Sequence, residues 1–369
     1  GRAAHSLLDL KSAVQGKSVD LGGRRIIKKK LASGLEPGKD LVFPRCPDDP
    51  QMRESCSIWL FEDSGAFAFP RVGIEAEALS WDMRRVQGNF AVAGGRILNG
   101  AGLGAAHSPF GPDGRPTVLG AGPLAMRCIE PFRRWRASWE GTALDGTVEQ
   151  QIAGTLDPAR RSALGFDVEL EMVTPAWVQD ISPAVVARMS EADAVEAANM
   201  GIGWRFEQLF RAAGVFRLDG RSREFTGTGL RIKRQSVRPL GGFRGHCWQS
   251  ALFPDGRAFG YIAYPPREDG TAWNEGYVYC DGRMYAARAR RVPWLRRIVG
   301  AGDDVSLELE LALGITRIDG VTGLSTFRVG NPDIGGLNLQ QGGARYRWDG
   351  QVAWGMIERS AHESLTMTG

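Results

Sequence analysis

The chain has 369 residues, of which 43% are hydrophobic and 24% charged, ordinary values for a globular protein with a buried core. This length is about twice that of one average domain, so two domains are expected. Glycine is unusually frequent, with 49 residues. The sequence has no G-X-Y period and only 19 prolines, which excludes collagen-like and low-complexity chains.

Arginine supplies most of the positive charge. The net charge is only +4, with 39 arginines and seven lysines, and the longest basic run, Arg24–Lys30, is short for a nucleic-acid-binding protein. Five cysteines and four histidines, without CxxC or HExxH spacing, predict neither a disulfide framework nor a metal site. We expect no cofactor, no nucleic-acid partner, no integral membrane segment and a cytoplasmic location.

In chain order, the first 39 residues are predicted to form an arm with a short helix over Leu7–Val14. Turn signals then dominate, because Asp-Gly pairs tolerate the positive φ angles of tight turns and each marks a candidate strand reversal. These pairs begin at Asp113, Asp145, Asp219, Asp255, Asp269, Asp281, Asp319 and Asp349. Strand-forming residues occupy Val168–Val173, Ala258–Tyr264, Gly276–Cys280 and Val305–Leu313. The pattern predicts an antiparallel, all-β fold of sandwiches or barrels.

One segment breaks this pattern. Ser182 as a helix N-cap, Pro183 in the first turn and Gly201 at the end predict a helix that reaches Asn199. Such a helix is a natural connector between two β domains. The predicted organisation is an N-terminal arm over 1–39, a first β-barrel domain over 40–182, a helical connector over 183–203 and a second β-barrel domain over 204–369.

Candidate chemistry comes from polar residues set among aromatic ones. His246 and Trp248 share one face of a predicted strand, and Trp273 and Glu275 repeat the aromatic-x-polar spacing. Such groups in one pocket could donate a proton and stabilise a carbocation through cation–π attraction. The candidate catalytic residues are His246, Glu275 and Glu207, and the candidate substrate-binding residues are Trp204, Trp248, Trp273, Tyr264, Trp81 and Glu75. The alternatives are a structural histidine and solvated outer-face carboxylates.

Three segments resemble the bacterial two-domain proteins of the AttH and carotenoid 1,2-hydratase group. They are CIEPFRRWRASWEG (Cys128–Gly141), WRFEQLFRAAGVFRLDGRSREFTGTGLR (Trp204–Arg231) and WGMIERS (Trp354–Ser360). The resemblance spans most of residues 60–360 and implies two lipocalin-like β-barrels packed side by side. It also implies a relation to hydratases and cyclases that act on isoprenoid or polyene substrates without a redox cofactor.

The sequence departs from that family at one motif. The family commonly carries Asp-His-Ser-Trp-Gly after the GTG turn, whereas this chain has Arg231–Arg238 there, without His, Asp or Trp. The nearest histidine-x-tryptophan is His246–Trp248. Either the catalytic histidine has moved along the sequence or this member has lost that chemistry.

Three functions follow as expectations, of which the third is a purely structural interaction protein whose barrels are filled by side chains without a cavity. The first is a cofactor-independent enzyme that hydrates, isomerises or cyclises a double bond of a hydrophobic isoprenoid or polyene substrate, with an acid, a dry cavity and aromatic faces. The second is a non-catalytic carrier of a lipid, steroid or terpenoid. An enzyme needs a buried carboxyl group with a raised pKa, and a carrier does not. In either case the partner is a hydrophobic small molecule, and a homo-oligomer is an open alternative.

Overall fold

The computed structural model of the protein describes residues 35–237, 244–331 and 336–368. Most residues in these ranges lie in antiparallel β-strands, which confirms the all-β prediction. The strands form one sheet of eleven strands and one closed barrel, beside a two-stranded ribbon. The helix predicted over Leu7–Val14 lies outside the described residues.

The first sheet closes into a ring with extra strands. Its strands are β1 (Met52–Glu62), β2 (Phe67–Glu77), β3 (Met83–Val92), β4 (Arg96–Ala105), β5 (Val118–Ala121), β6 (Leu124–Glu130), β7 (Arg134–Thr147), β8 (Arg161–Met172), β9 (Trp177–Ile181), β10 (Ile202–Leu218) and β11 (Arg221–Val237). Eight strands follow the order β4–β3–β2–β1–β11–β10–β8–β7, and the end of β7 pairs back with β4. We call this ring the first barrel. Phenylalanines fill it, with Phe69 in ring contact with Phe90, Phe166 and Phe216.

The second half of the chain forms the other barrel. Its strands are β12 (His246–Leu252), β13 (Ala258–Ala263), β14 (Asn274–Cys280), β15 (Arg283–Arg291), β16 (Arg297–Ile298), β17 (Leu307–Leu311), β18 (Gly314–Asn331), β19 (Leu337–Trp348), β20 (Gln351–His362) and β21 (Met367–Thr368). β16 and β21 form a separate parallel pair, and the other eight close the second barrel in chain order. Phe259 packs against Tyr346 and Trp348 in its core. Short 3-10 turns cover Pro37–Asp40, Ala78–Ser80 and Glu363–Leu365.

Most of the Asp-Gly pairs lie in turns. In three hairpins both residues have positive φ, at Asp219-Gly220, Asp281-Gly282 and Asp349-Gly350. The pairs at Asp113, Asp255 and Asp269 also lie in turns or bends. The pairs at Asp145 and Asp319 do not, because they lie inside β7 and β18. Glycine serves close packing at these two positions, since a Cβ would lie 2.5 Å from Leu156 at Gly146 and 2.8 Å from the Tyr346 ring at Gly320.

The predicted connector helix is two short helices. α2 (Pro183–Val186) and α3 (Glu191–Met200) are separated because Ser190 caps a new N-terminus by accepting a hydrogen bond from Asp193 N. Ile181 of β9 pairs with Gly203 of β10, so the connector leaves and rejoins the first sheet at neighbouring positions. Ion pairs from Arg267 to Asp193 and from Arg244 to Glu196 tie it to the second half of the chain.

Another helix, α1 (Val148–Ala153), joins the two barrels. Thr147 and Gln150 form a capping box at its start. Gln151 accepts a hydrogen bond from Arg328 N and donates one to Arg328 O, each 2.8 Å long. Apolar residues of both halves surround this contact, among them Ile152 and Phe327. α1 is therefore an attachment between β18 and the first barrel.

The first barrel includes strands that were predicted for the second domain. β10 and β11 pair with β8 and β1, and Phe210, Phe216 and Phe225 are buried in the first core. The segment before residue 182 supplies only six strands of that ring, so the β10–β11 hairpin is needed to close it. By sheet membership, the last strand of the first barrel ends at Val237 and the first strand of the second barrel begins at His246, so the second barrel begins later than the predicted start at Trp204.

Candidate functional site

The two barrels meet through a shared apolar cluster rather than through loops alone. Strands β1, β2 and β11 of the first barrel lie against β12, β19 and β20 of the second. The larger buried members of this cluster are Trp59, Phe61, Leu209, Leu230, Trp248, Leu252, Ile262, Tyr264, Trp273, Tyr277 and Met356. This inter-barrel interface contains several of the residues that the sequence analysis singled out.

Two tryptophans form the centre of the interface. The rings of Trp59 and Trp248 are 4.8 Å apart and nearly perpendicular, an edge-to-face contact. The Arg71 guanidinium lies 5.7 Å from the Trp59 ring, and that of Arg205 lies 4.7 Å from the Trp248 ring. A polar cluster lies at each end of this row, one beside Arg71 and the other beside Arg205.

The cluster beside Arg71 is built on a histidine–carboxylate pair. His246 and Trp248 share the outward face of β12, as their two-residue spacing predicts, and β20 places Ser360 and Glu358 opposite them. His246 Nε2 lies 3.0 Å from Glu358 Oε1, and His246 Nδ1 lies 2.6 Å from Ser360 Oγ. These contacts fix the imidazole in a buried position beside an acidic partner.

Glu358 is ionised at neutral pH despite its burial. Burial alone raises the pKa of this carboxyl, but the His246 hydrogen bond, the Arg71 charge and the Gln341 hydrogen bond together lower the pKa to about 2. Gln341 Nε2 donates to Glu358 Oε2 over 2.9 Å, and Arg71 Nη1 lies 3.5 Å from the same oxygen. At neutral pH, His246 therefore has an anionic partner.

Arg71 reaches Glu358 from an irregular strand of the other barrel. Its φ is 92°, in the region that favours glycine. The β1–β2 register shifts between Ile58 and Trp59, and the β2–β3 register shifts between Ala68 and Val72. Such a bulge redirects a side chain out of the regular alternation. The strained arginine at an inter-barrel contact is a functional signal in its own right.

The second polar cluster centres on Glu207. Its side chain is 0% exposed, and the Arg205 guanidinium lies 2.9 Å from Oε2. Burial raises the pKa of Glu207, against the opposing effects of Arg205 and the Trp248 indole N–H. Among the described residues, neither carboxyl oxygen has a well-aligned hydrogen-bond partner, and the same holds for Tyr277 Oη and Trp248 Nε1. Such unpartnered buried polar atoms are rare in folded proteins.

Tyr277 shares this environment. Burial raises its pKa well above the ordinary range, and the charge of Glu207 adds to the effect. Its ring contacts that of Trp177, from β9, at 5.2 Å. Arg205 donates to Gln179 Oε1 over 2.7 Å. The second cluster is thus a buried group of one carboxyl, one guanidinium, one phenol and indole rings.

Three other residues predicted from sequence, Trp273, Glu275 and Tyr264, lie beside one another in the second half of the chain. Trp273 Nε1 donates to Glu275 Oε1 over 2.8 Å, and the Tyr264 ring lies 5.8 Å from Trp273. Glu275 pairs with Ile262, which pairs with Trp248. Glu275 is therefore two strands, or about 10 Å, from the central indole along the sheet.

Trp204, Trp81 and Glu75 lie outside the tryptophan pair. Trp204 packs on Phe206, with Lys39 over its ring at 4.9 Å. Trp81 packs under Arg84 at 4.8 Å. Glu75 forms an ion pair of 2.6 Å with Arg53 and lines a cleft described next.

An open cleft leads to the first polar cluster. It has a volume of about 450 Å³ and lies between β2–β4 of the first barrel and β18–β19 of the second. Its apolar walls are Ile74, Val86, Leu103, Val329 and Leu339, and its polar lining includes Arg71, Gln87 and Gln341. A larger groove of about 890 Å³ lies elsewhere, between charged side chains of both signs such as Arg134 and Glu171. We place the candidate site at the cleft because two of its lining residues, Arg71 and Gln341, contact Glu358 of the first polar cluster.

Several residues of this site were not among the candidates named from sequence, including Trp59, Arg71 and Gln341. Arg71 depends on a bulge and Gln341 on strand pairing, and neither leaves a local pattern. Among the described residues no His, Cys, Asp and Glu side chains are grouped so as to hold a metal ion. Within the same ranges no helix has the length and apolar character of a membrane span.

Comparison with known proteins supports the fold. A family model described as "Domain of unknown function (DUF7064)" matches residues 43–363. No curated protein has significant sequence similarity to the chain. A crystal structure of a protein assigned as AttH from Nitrosomonas europaea aligns with a TM-score of 0.53 and 14% identity, over 87% of this chain and 99% of that one. The expected resemblance to AttH-like two-barrel proteins is thereby confirmed for the fold.

Two further crystal structures align over similar lengths. CghA with Sch210972 aligns with a TM-score of 0.49 and 12% identity, over 85% of this chain and 89% of that one. Kievitone hydratase from Nectria haematococca aligns with a TM-score of 0.46 and 9% identity, over 87% and 93%.

Proposed function

The chain belongs to the DUF7064 family, and from the geometry of its inter-barrel interface we propose that it is an acid–base enzyme. The reaction is proton-initiated hydration, isomerisation or cyclisation of a double bond in a hydrophobic, isoprenoid-type substrate. Alkenes are weak bases, so this chemistry needs a protonated acid in a dry, aromatic environment. The inter-barrel interface offers a buried carboxyl, Glu207, on one side of the tryptophan pair and the His246–Glu358 pair on the other.

The observation that carries the proposal is the state of Glu207. It is fully buried against the Trp248 indole, and burial raises its pKa, which favours the protonated carboxyl that an acid needs. A carrier has no use for such a group. In the proposed reaction, Glu207 gives its proton to one alkene carbon, and the neighbouring carbon becomes cationic.

The remaining groups stabilise and quench the cation. The faces of Trp59 and Trp248 offer cation–π attraction, and ionised Glu358 adds a negative charge nearby. His246, held by Glu358, takes a proton either from a water that adds to the cation or from an adjacent carbon. The first course gives an alcohol and the second a shifted double bond. Return of that proton to Glu207 through solvent completes the cycle.

Substrate entry requires motion, because Trp59 and Trp248 are both buried in this closed arrangement. The cleft supplies an approach as far as Arg71, which stacks on the Trp59 ring. A shift of the two indole rings would connect the cleft with Glu207. Such gating steps are common in enzymes that exclude water.

The test uses ligand extracted from protein purified from its native host and returned to fresh protein in D2O. Transfer of a deuteron from Glu207 leaves carbon-bound deuterium in the recovered ligand, which mass spectrometry detects. We expect E207Q to reduce deuterium incorporation at least a hundredfold. The matched control is E275Q, because Glu275 bonds Trp273 and lies two strands from Trp248.

The carrier alternative predicts a different result. A carrier returns its ligand unchanged and without deuterium, however long the incubation. Equal incorporation in E207Q and in the parent protein would show that another group is the acid. Loss in E275Q instead of E207Q would move the acid to the Trp273 side of the interface.

A further inference from the structure

A chain of amide groups connects Glu358 with the cleft. The ionised Glu358 carboxylate only accepts hydrogen bonds, so the Gln341 amide must turn its NH2 group toward it. Gln341 Oε1 is thereby directed toward β3, where it accepts from Gln87 Nε2 and from Asn89 Nδ2, each at 2.9 Å. The charge on Glu358 therefore fixes the orientation of the amides along this row.

Gln341 and Gln87 both line the cleft, and Gln87 is the more exposed of the two. It is half-buried and lines the cleft wall, whereas Asn89 is fully buried and bonded to Pro70 O and Asn99. Gln87 donates one N–H to Gln341. Its second N–H and its carbonyl oxygen therefore remain to form hydrogen bonds with a ligand. One donor and one acceptor side by side match a hydroxyl group, which is itself both.

The charged groups around the cleft are already paired. Arg71 faces Glu358. Glu75 is held by Arg53 at 2.6 Å. Arg85 lies 3.7 Å from Glu77, which also contacts Arg53. Of the charged side chains described here, none offers an uncompensated positive charge to an anionic ligand.

We propose that the cleft binds the neutral hydroxyl end of an apolar alcohol, with Gln87 as the residue that recognises it. The chain next to the hydroxyl lies between Val86 and Leu103 of the first barrel and Val329 and Leu339 of the second. The proposal rests on the proposed function and names its substrate class. A site built to bond a hydroxyl discriminates strongly against groups that leave its polar atoms unpaired.

The experiment measures binding by calorimetry with three probes that share a fifteen-carbon chain: farnesol, farnesoic acid and farnesyl diphosphate. The protein carries E207Q, so that no turnover occurs and the result does not depend on the proposed chemistry. We expect farnesol to bind at least tenfold more tightly than either anionic probe. In Q87L, farnesol affinity falls about tenfold and the preference disappears. R85A, on the exposed rim, keeps the preference.

Other outcomes overturn the inference. Tighter binding of the acid or the diphosphate would mean that the cleft recognises an anion. A preference that survives Q87L would assign the hydroxyl to another place. If none of the three probes binds to a variant whose denaturation midpoint matches the parent, the cleft does not hold an apolar alcohol. Deuterium incorporation by the wild-type protein remains a separate readout, so either proposal can fail without the other.

Discussion

The two barrels place the same side chains at equivalent interior positions. In the first barrel, Arg231 of β11 lies opposite Gln208 and bonds it at 3.0 Å; in the second, Arg359 of β20 lies opposite Gln340 and bonds it at 2.7 Å. Each arginine also holds an aspartate from outside its barrel strands. These partners are Asp40 at 2.8 Å and Asp303 at 2.7 Å. The repetition marks these triads as parts of the architecture.

The outward faces of the same strands differ. Trp59 and Trp248 occupy equivalent positions, but their neighbours on β11 and β20 are Leu230 and Glu358. Likewise, Leu209 corresponds to Gln341 and Ser57 to His246. The second barrel thus supplies the polar groups of the first cluster, and the first barrel supplies an apolar surface and the bulged Arg71. A feature found on one barrel only is the better guide to function.

The largest expected effect on stability comes from breaking the interior triads. R231M leaves Asp40 fully buried without its cation, and we expect it to lower the free energy of unfolding by roughly 3–5 kcal/mol. R359M leaves Asp303 without its cation, but this side chain is 22% exposed and can be hydrated. We therefore expect R359M to lower the free energy of unfolding by less than R231M does. Urea denaturation of both variants checks this order. Equal losses would mean that exposure of the orphaned carboxylate does not decide the cost.

The next largest effect on stability concerns the ionised Glu358, which has no counterpart on the first barrel. The pKa of Glu358 is 4.5 when unperturbed and about 2 when folded, a difference of roughly 3 kcal/mol in folding free energy. Because the folded pKa is the lower one, this stability is present above pH 4.5 and is lost as the pH falls toward 2. E358Q should therefore show a flatter decline in unfolding free energy over this window than the parent. Parallel declines would place the ionised partner of His246 elsewhere.

The smallest expected effect on stability concerns the strained backbone of Arg71 at the bulge in β2. At a φ of 92°, alanine is strained and glycine is not, so R71G should be more stable than R71A by about 1 kcal/mol. Both variants also remove the Arg71 charge and should raise the pKa of Glu358. Denaturation midpoints compare the pair directly. If the alanine variant is at least as stable, the backbone at Arg71 is relaxed rather than strained.

Much of the fold could be predicted from local chemistry. The Asp-Gly pairs at Asp219, Asp281 and Asp349 supply the two consecutive positive φ angles that hairpin turns require. The two-residue period correctly placed His246 and Trp248 on one face. The assignment of β10 and β11 to the first barrel was harder to predict, because the pairing of β11 with β1 joins residues far apart in sequence.

The site was harder to predict than the fold for the same reason. His246 meets Glu358 across more than a hundred residues, and alternation within one strand cannot tell which partner strand faces it. Glu207 was one of three candidate catalytic residues named from sequence, but its neighbours Arg205 and Tyr277 come from different barrels. Arg71 depends on an inserted residue, which strand periodicity treats as an ordinary position.

The attachment made by α1 limits how the molecule can move. Two bodies that touch at one place can rotate about it, whereas a second junction away from that axis blocks the rotation. The Gln151–Arg328 bonds and the apolar residues around them are such a junction, beside the contact of Trp59 with Trp248. Swinging the barrels apart would have to break this junction. We therefore expect access to the interior to come from movement of the buried indole rings and of the connector.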